Sequence, residues 1–360
     1  MTMNQPNQNN HSQDQILEYL RLDGKLLAVT HFFPDGDALG SLLAFSGMLD
    51  QLGVEHIVAV DDVLPDKYSF LPGFDRIRSL RVNPFREIVP RMAVLDAGAL
   101  ARIGSAQDCI GPNTRIINID HHHTGDDYGH LNLVEVNASA TAEILYRLCS
   151  RLKLEITPQI AYGLYIGILT DTGRFRYSNT THQAMDICGD LISKGVNPGW
   201  VVENIYYNLP FELVQALARA LLTLELHFGG LVCMLSLNRG HYVSDTEGFV
   251  EYAASIKGVA LAAFVCELEE KLYKVSLRSR CSVDVSQVAQ KFGGGGHIKA
   301  AGFRFNGTKG ELVERLLVEL GNQVEVHNLL PGAKFTTVSG VEGEEISEWI
   351  LGWSNHQSEE

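Results

Sequence analysis

Short apolar runs alternate with longer amphipathic stretches from Lys25 to about Asn204. A short, continuous apolar run is typical of a strand buried on both faces, whereas apolar positions three and four residues apart predict a helix. The predicted strands are Leu26–Thr30, His56–Val60, Met92–Leu95, Arg115–Ile119 and Leu133–Val136. The predicted helices are Asp37–Leu52, Ala138–Leu152, Pro158–Leu169 and His182–Lys194. This alternation predicts a mainly parallel sheet flanked by helices.

A second pattern begins after the helix-breaking residues between Asn197 and Pro210. A connecting helix is predicted at Phe211–His227, followed by a β-rich unit. Its predicted strands are Leu231–Leu237, Val259–Leu268 and Leu272–Arg278, and its predicted helices are Thr246–Ile256, Val283–Lys291 and Gly310–Leu320. We therefore predict an α/β protein with two domains and a cleft between them, since each part is long enough for its own core.

The predicted boundaries place the larger domain at residues 15–205, a helical connection at 206–229 and the smaller α/β domain at 230–328. Residues 1–14 are polar and are expected to form a disordered leader. Residues 329–360 form an acidic tail that carries Trp349 and Trp353. We expect the tail to form a short helix that docks on the body or on another subunit, with a regulatory role as the alternative.

Charge and composition narrow the classes of function. The formal net charge of −14 argues against a protein that coats long duplex nucleic acid, but it leaves room for a small anionic substrate. The six cysteines have no short-spaced pairs, which favours reduced thiols in a cytoplasmic protein. There is neither a signal-peptide pattern nor an apolar run of the roughly 20 residues that would span a membrane. No membrane partner is expected, and a homodimer is left open.

The predicted strands of the first sheet end in acids and imidazoles rather than in ordinary turns. These groups are His31, Asp35 and Asp37 after the first strand, Asp96 after the third, and Asp120, His121, His122 and His123 after the fourth. Because open α/β sheets bind ligands at the carboxyl ends of their strands, these groups are expected to meet at one rim. Asp171 adds a carboxylate at the end of an apolar helix. Two purely structural interpretations stay open: Asp37 as a helix N-cap, and Asp171 as a residue of the turn that ends its helix.

Four carboxylates in one place would raise one another's pKa values, and two divalent cations would cancel their charge. The carboxylates are Asp35, Asp37, Asp96 and Asp171, with His31 and His121 as neutral ligands. Mixed carboxylate and imidazole ligands suit Mn²⁺, with Mg²⁺, Co²⁺ or zinc as alternatives. The set is typical of a two-metal hydrolytic site, with ions roughly 3.5–4 Å apart.

Taken together, these motifs resemble the DHH phosphoesterase family. The motifs are His31-x3-Asp35-x-Asp37-Ala38-x-Gly40-Ser41, then Asp96, then Asp120-His121-His122, then Asp171-Thr172-Gly173. In addition, Gly293-Gly294-Gly295-Gly296-His297 and Ala300-Ala301-Gly302-Phe303 are similar to the domain that accompanies the catalytic one in RecJ-like proteins and nanoRNases. The resemblance covers about residues 15–325.

The resemblance implies a role for each residue of the first domain. His31, Asp35 and Asp96 would hold one metal ion, and Asp37, Asp96, His121 and Asp171 the other, so that Asp96 bridges. Asp120 would orient an imidazole, and His122 would face the substrate phosphate or the departing oxygen. His123 stays open between a supporting role and a solvent-exposed one.

In the second domain, the residues predict a phosphate clamp. The clamp residues are Arg278, Arg280, Gly294, Gly295, Gly296 and His297. Glycines let backbone N–H groups approach an anion, and alternation along a strand places both arginines on one face. A plain glycine turn is the alternative. Arg174 and Arg176 are expected either to join the clamp or to be surface charges.

The resemblance implies a manganese-dependent phosphoesterase that acts on short nucleotide chains. The sequence shows neither the extra domain of long-strand RecJ exonucleases nor a membrane anchor, which favours a nanoRNase acting on nanoRNA, pGpG or pApA, and also on adenosine 3′,5′-bisphosphate (pAp). The alternatives are an exopolyphosphatase or pyrophosphatase, a RecJ-like exonuclease, and a nucleotide-binding protein without turnover.

Overall fold

The computed structural model describes residues 13–122, 127–243, 246, 248–327 and 329. The chain divides into two compact units, residues 1–209 and 210–360. The first helix, α1, begins at Gln13, inside the stretch predicted as a disordered leader. The rest of that leader, and the predicted tail helix with Trp349 and Trp353, lie outside the described residues.

Within its described residues, the first unit contains a six-stranded parallel sheet and six α-helices. The strands are β1 (Leu26–Val29), β2 (His56–Val60), β3 (Ile77–Ser79), β4 (Arg91–Leu95), β5 (Arg115–Asp120) and β6 (Leu131–Val134). The helices are α1 (Gln13–Leu20), α2 (Gly36–Gln51), α3 (Thr141–Leu152), α4 (Pro158–Asp171), α5 (His182–Ser193) and α6 (Pro198–Tyr206). The predicted parallel sheet with flanking helices is confirmed, with strand and helix ends that differ by a few residues.

Sequence reasoning missed α1, β3 and α6 in this unit. Pro198 and Gly199 had suggested a break, yet Pro198 occupies the first turn of α6, where its missing N–H costs nothing. The side chain of Asn197 accepts a hydrogen bond from the Trp200 N–H and caps this helix. β3 has three residues, too few for a periodic signal.

The strands are apolar throughout because both faces of the sheet are covered. Leu26 and Ala28 of β1 face the core formed with α2 and α4, whereas Leu27 and Val29 face a second core. That second core is completed by the segment 80–110, which contains 3-10 turns rather than α-helices. A strand that is buried on both faces does not alternate between apolar and polar residues. For this reason the strands of this sheet stand out in the sequence as short, continuous apolar runs.

The strand order places the polar strand ends together. The sheet runs β3-β2-β1-β4-β5-β6, so the order reverses between β1 and β4. β1 pairs in parallel with β2 on one side and with β4 on the other. Ligands of open α/β sheets bind outside the carboxyl ends of the strands at such a reversal. His31, which follows β1, and Asp96, which follows β4, therefore flank the preferred position.

Glycines allow α2 and α4 to pack with their backbones in contact. A Cβ atom on Gly40 would lie 2.3 Å from the carbonyl oxygen of Gly163, and one on Gly163 would lie 2.5 Å from that of Gly40. A Cβ atom on Gly167 would lie 2.5 Å from a carboxylate oxygen of Asp37. The close crossing thus brings the first turn of α2 against the last turns of α4, which ends at Asp171.

The second unit contains a six-stranded mixed sheet with helices on both faces. The strands are β7 (Glu225–His227), β8 (Val232–Leu237), β9 (Leu261–Glu269), β10 (Leu272–Ser279), β11 (Gly295–Gly296) and β12 (Ala300–Asn306). The helices are α7 (Phe211–Leu221), α8 (Phe249–Ala254), α9 (Val285–Gln290) and α10 (Lys309–Val326). The order is β11-β12-β10-β9-β8-β7, with β8 and β9 parallel and the other neighbours antiparallel. One core lies under α9 and α10 and the other under α7 and α8.

The predicted helix Phe211–His227 is wrong beyond Leu221. The Thr223 hydroxyl lies 2.8 Å from the Ser236 N–H and 3.1 Å from its carbonyl, which fixes the chain beside β8. Residues 225–227 then pair with β8 as β7. The leucines that follow Leu221 continued the apolar pattern in the sequence, but they belong to a turn and an edge strand. No helix among the described residues is both long and apolar enough to cross a membrane.

We expect Gly40→Ala to destabilise the protein by roughly 1–3 kcal/mol, because neither backbone at the α2/α4 crossing can move to admit a methyl group. Gly189→Ala is the matched control, since Gly189 lies within α5 and has no heavy atom within 4 Å of a Cβ position. That variant should stabilise the protein by about 0.5–1 kcal/mol. Urea unfolding of both variants tests the crossing, and equal effects of the two substitutions would contradict it.

Candidate metal centre

Asp35 and Asp37 stand at the start of α2 but cap different helices. The Asp35 carboxylate accepts the Ala38 N–H at 3.0 Å and is the N-cap of α2. Asp37 accepts the N–H groups of Thr141 at 2.6 Å and Ala142 at 3.0 Å, at the start of α3. The alternative that Asp37 caps its own helix is therefore wrong. The positive end of α3 stabilises the buried Asp37 charge instead.

The two oxygens of Asp37 differ in what they can still accept. Oδ1 accepts both the Ser41 hydroxyl and the Ala142 N–H, each at 3.0 Å. Oδ2 accepts the Thr141 N–H and lies 3.9 Å from Nε2 of His121. Each carboxylate oxygen has about two acceptor positions, so Oδ2 keeps the capacity for a cation.

Asp96 lies between two groups of donor atoms. Its Oδ2 lies 3.6 Å from Nε2 of His31, and its Oδ1 lies 3.6 Å from Nε2 of His121. Oδ1 also accepts the Thr141 hydroxyl at 3.1 Å. The Asp96 backbone has φ +54°, the left-handed region that aspartate tolerates better than most residues. This turn after β4 points one buried carboxylate at both groups.

The donor atoms form two overlapping sets. His31, Asp35 and Asp96 make one set and Asp37, Asp96 and His121 the other, with the donor atoms of each set within 4.8 Å of one another. Asp171 joins the second set, because its Oδ2 lies 3.2 Å from Nε2 of His121. Around one divalent ion with bonds of about 2.1 Å, neighbouring ligand atoms lie roughly 3.0–3.4 Å apart. The separations of 3.2–3.9 Å between these donor atoms are close to that range, so each set could hold a divalent cation after a small contraction. Asp171 both ends its helix and lies at the site.

The imidazoles of His31 and His121 are both oriented by backbone carbonyls. Nδ1 of His31 lies 2.9 Å from the Phe32 carbonyl, and Nδ1 of His121 lies 3.2 Å from the Ala138 carbonyl. A carbonyl requires an N–H at Nδ1, which leaves Nε2 as the nitrogen that binds a cation. Burial, and then the charge of Arg102, lower the pKa of His31 to about 4, so its imidazole is neutral at pH 7.

The carboxylates repel one another in the absence of cations. Burial, and then Asp37 and Asp35, raise the pKa of Asp96 well above its usual value. Burial also raises the pKa of Asp171 well above its usual value, although His121 partly offsets this effect. The same burial effect raises the pKa of Asp37 against the opposing charge of His121. Cations would remove this cost, as expected for a site built to hold positive charge.

Asp120 holds His122, and the donor atoms of both residues lie within 4.8 Å of Asp96. Its Oδ1 lies 2.6 Å from Nδ1 of His122 and accepts the N–H groups of His121 at 2.8 Å and His122 at 3.2 Å. Burial raises the pKa of Asp120, but the electrostatic and hydrogen-bond effects of His122, together with the effect of His121, outweigh burial and hold this pKa below its usual value. A charged Asp120 therefore fixes the His122 ring with Nε2 on the far side. His123 lies outside the described residues.

Sequence reasoning missed the residues that hold these segments in place. The Asn179 amide donates to the carbonyls of Ser139 and Asp171, both at 3.0 Å, and so ties the turn before α3 to the end of α4. Ser139 donates its N–H and hydroxyl to Glu143 Oε2, at 2.9 and 2.6 Å. Ser139 and Glu143 are four residues apart, one more than in a capping box, so the sequence does not show the usual capping-box pattern at the start of α3. Asn179 has no local signal at all.

Comparison with known proteins identifies the family. Residues 25–168 match the model of the DHH family, N-terminal domain, and residues 234–325 match the DHHA1 domain. The bifunctional oligoribonuclease and PAP phosphatase NrnA of Thermus thermophilus is 32% identical over 296 residues, which are 81% of this chain and 88% of that protein. The chain belongs to the DHH family. The resemblance predicted from the sequence motifs is thereby confirmed.

Two further similar proteins show how far the likeness extends. The NrnA protein of Bacillus subtilis is 26% identical over 297 residues, 80% of this chain and 91% of that protein. The crystal structure of an exopolyphosphatase-related protein from Bacteroides fragilis is 27% identical, with a TM-score of 0.79. The match covers 88% of this chain and 97% of the chain in that crystal structure. The two-unit fold is therefore shared over almost the whole length of that structure.

The glycine run of the DHHA1 unit is only partly available to an anion. The N–H groups of Gly293 and Gly294 donate to the Gln290 and Ala289 carbonyls, each at 2.9 Å, at the end of α9. A Cβ atom on Gly294 would lie 2.2 Å from the Gly302 carbonyl oxygen, so this glycine serves packing. Gly295 pairs with β12 and has no heavy atom within 4 Å of a Cβ position. Gly295 is thus the position where the backbone can be approached closely.

The remaining clamp residues also have contacts in their own units. Arg278 Nε lies 2.5 Å from Glu251 Oε1, and Arg280 donates to the Ala254 carbonyl at 3.0 Å. Both arginines thus reach towards α8, as the strand alternation predicts. The Gly296 backbone has φ +141°, and the His297 N–H donates to the Ala300 carbonyl at 2.7 Å, which closes the turn into β12.

Arg174 and Arg176 contact their own unit. The Arg174 guanidinium lies over the Tyr206 ring, and Arg176 Nε donates to the Gly173 carbonyl at 2.7 Å. These contacts favour the surface-charge interpretation of both residues over a place in the clamp.

We expect Mn²⁺ to raise the melting temperature more at pH 8 than at pH 5. The raised carboxyl pKa values stabilise the metal-free protein fully below about pH 3.8, and this contribution is lost as the pH rises through those values. Cations remove the repulsion that develops above that range, so their effect grows with pH. Thermal unfolding with and without Mn²⁺ across this range measures the effect.

The substitution Asp96→Asn provides a sharper test. Asparagine has nearly the same shape as aspartate and tolerates the left-handed backbone conformation at position 96. The variant should raise the melting temperature of the metal-free protein by roughly 2–4 °C and lose most of the response to Mn²⁺. Asp75→Asn, at an exposed position, is the control and should behave as the parent. An Asp96→Asn protein that still gains full stability from Mn²⁺ would exclude Asp96 as a ligand.

Proposed function

We propose that this chain hydrolyses short oligoribonucleotides to mononucleotides and removes the 3′-phosphate from pAp. The observation that carries the proposal is the 32% identity, over 88% of its length, to a protein named for both activities. The geometry of the first unit supports it, because two donor sets share Asp96 at the carboxyl ends of the central strands.

The two donor sets suggest which residues would bind each of two divalent ions. We assign His31, Asp35 and Asp96 to one ion and Asp37, Asp96, His121 and Asp171 to the other, with Asp96 between them. When bound, two divalent ions lower the pKa of water and counter the negative charge of a phosphoryl group. The mixture of carboxylates and imidazoles favours Mn²⁺, with Mg²⁺ or Co²⁺ as alternatives.

His122 and Asp120 would act on the substrate as a pair. With its Nδ1 held by Asp120 at 2.6 Å, the His122 ring presents Nε2 to a ligand. We propose that Nε2 stabilises a phosphoryl oxygen or donates a proton to the departing ribose oxygen.

The DHHA1 unit would bind the rest of the nucleotide. We propose that the backbone at Gly295 and Gly296, the His297 side chain and the guanidinium groups of Arg278 and Arg280 contact phosphate oxygens. Gly294 would contribute by its small size alone, since its N–H is engaged by α9. The cleft between the domains and the cytoplasmic location stay predictions from the sequence.

A second candidate is hydrolysis of polyphosphate. The structure from Bacteroides fragilis is of an exopolyphosphatase-related protein and matches 88% of this chain. The same donor sets could serve an inorganic chain of phosphates. The two candidates differ in whether a nucleoside is required for turnover.

A substrate panel with Mn²⁺ separates the two. We expect mononucleotides from pApA, pGpG and a five-nucleotide RNA, and AMP with phosphate from pAp. Tripolyphosphate and pyrophosphate should release phosphate at least about 100-fold more slowly, since they lack the nucleoside that remote binding uses. Products are measured by chromatography and phosphate release, with Asp96→Asn as the inactive control. Faster turnover of tripolyphosphate than of every nucleotide would favour the second candidate.

The clamp has its own test, because it should matter only for substrates that reach it. Gly295→Ala and Arg278→Gln should each lower kcat/KM for pApA at least about tenfold, while hydrolysis of bis(p-nitrophenyl) phosphate changes less than about twofold. A methyl group at Gly295 meets no atom within 4 Å, so the fold should be retained. Arg304→Gln, at an exposed position of β12, is the matched control. Equal losses on both substrates would refute the clamp.

A further inference from the structure

Helix α7 is apolar on two opposite faces. Its inner face packs into the second unit, where Ala216 and Ala220 are buried and Leu213 and Leu217 pack against the core shared with α8. The outer face carries a second apolar line, which we call the outer stripe: Phe211, Val214, Ala218 and Leu222. Their spacing of three and four residues places them on one side of the helix.

The outer stripe is exposed. Phe211 is 70% exposed, Val214 47% and Leu222, the residue that caps the helix, 89%. Single apolar residues on a surface are ordinary, but an aligned set on a helix whose other face is already buried adds nothing to the folding of its own unit. Leu226 of the neighbouring edge strand β7 is exposed as well. The arrangement is typical of a surface that another chain covers.

The stripe is complementary to itself when a second copy runs antiparallel. With a two-fold axis near residue 216, Phe211 of one copy lies opposite Leu222 of the other, and Val214 lies opposite Ala218. In an antiparallel helix pair, each flank of one helix meets the same flank of its partner. Large residues at the ends would then meet each other, with small ones near the axis.

The charges beside the stripe fit the same arrangement. Glu212 and Arg219 are exposed, lie on the same flank and are seven residues apart. About an axis near residue 216, Glu212 of each copy meets Arg219 of the other, which gives two opposite-charge pairs. The acidic tail of the same chain fits less well, because from Val341 onwards it has six glutamates and neither lysine nor arginine. It could pair with Arg219 but would repel Glu212.

We propose that the outer stripe of α7 is a homodimer interface on which a second copy packs its own α7 antiparallel. The four apolar positions form the centre of the contact, and the two Glu212–Arg219 pairs set its direction. Charge pairs of this kind fix register and partner choice more than they add affinity. The inference is independent of the proposed catalytic activity.

The test is charge exchange followed by mixing, measured by sedimentation velocity on the full chain. The parent should be dimeric at micromolar concentration. Glu212→Arg and Arg219→Glu should each raise the dimer Kd at least about tenfold, because each places like charges opposite one another. An equimolar mixture of the two variants should form a heterodimer, and the double variant should dimerise as the parent does. Val214→Glu should abolish the dimer, whereas Val318→Glu, at an exposed position of α10, should leave it intact.

Three results would overturn the proposal. The first is a parent that stays monomeric up to about 100 μM, a weak limit for a specific contact. The second is a dimer that is indifferent to Val214→Glu, and the third is a pair of single variants that fail to complement on mixing. A chain ending at Leu329 that dimerises while the full chain does not would assign the stripe to the tail instead. All variants lie at exposed positions, and circular dichroism checks that they fold.

Discussion

The contact between the backbones of α2 and α4 is the constraint on which the first unit depends. Two glycines, Gly40 and Gly163, replace side chains with a direct approach of one helix to the other. A Cβ atom at either position would lie within 2.5 Å of a carbonyl oxygen of the other helix, so the helices could not keep this close contact. The first turn of α2 and the last turn of α4 could then no longer bring Asp37 and Asp171 to the same imidazole. A packing feature in the core thus sets the geometry of a polar site at the end of the sheet.

The second requirement is electrostatic, because buried acids in one place oppose folding. The structure counters this cost locally with backbone dipoles. Asp35 accepts from the start of α2 and Asp37 from the start of α3, so two helix N-termini face the cluster. Asp96 receives the Thr141 hydroxyl, and burial beside other acids still raises its pKa. The remaining repulsion lowers the stability of the protein without cations, and cations bound among these carboxylates would relieve it.

Sequence reasoning predicted the sheet and the candidate ligands because both leave local signals. The central strands are uninterrupted apolar runs, and the acids and imidazoles follow them directly. It failed where contacts between residues far apart in the sequence determine the local structure. Asp37 lies 104 residues before Thr141, whose N–H its carboxylate accepts at the start of α3. Thr223 directs the chain into β7 through its hydrogen bond with Ser236. Pro198 was taken for a break although it begins α6. The glycine run was read as uniform, but only its spatial neighbours distinguish Gly294 from Gly295.

The candidate ligands are distributed from His31 to Asp171, across most of the first unit. During synthesis on the ribosome, the chain must therefore extend beyond Asp171 before the last carboxylate can join the cluster. A nascent or truncated chain that lacks α4 has neither that carboxylate nor the surface against which α2 packs. Completion of the site is thereby coupled to completion of the unit that contains it. The candidate site can therefore be completed on the ribosome only after roughly half of the 360 residues have been synthesised.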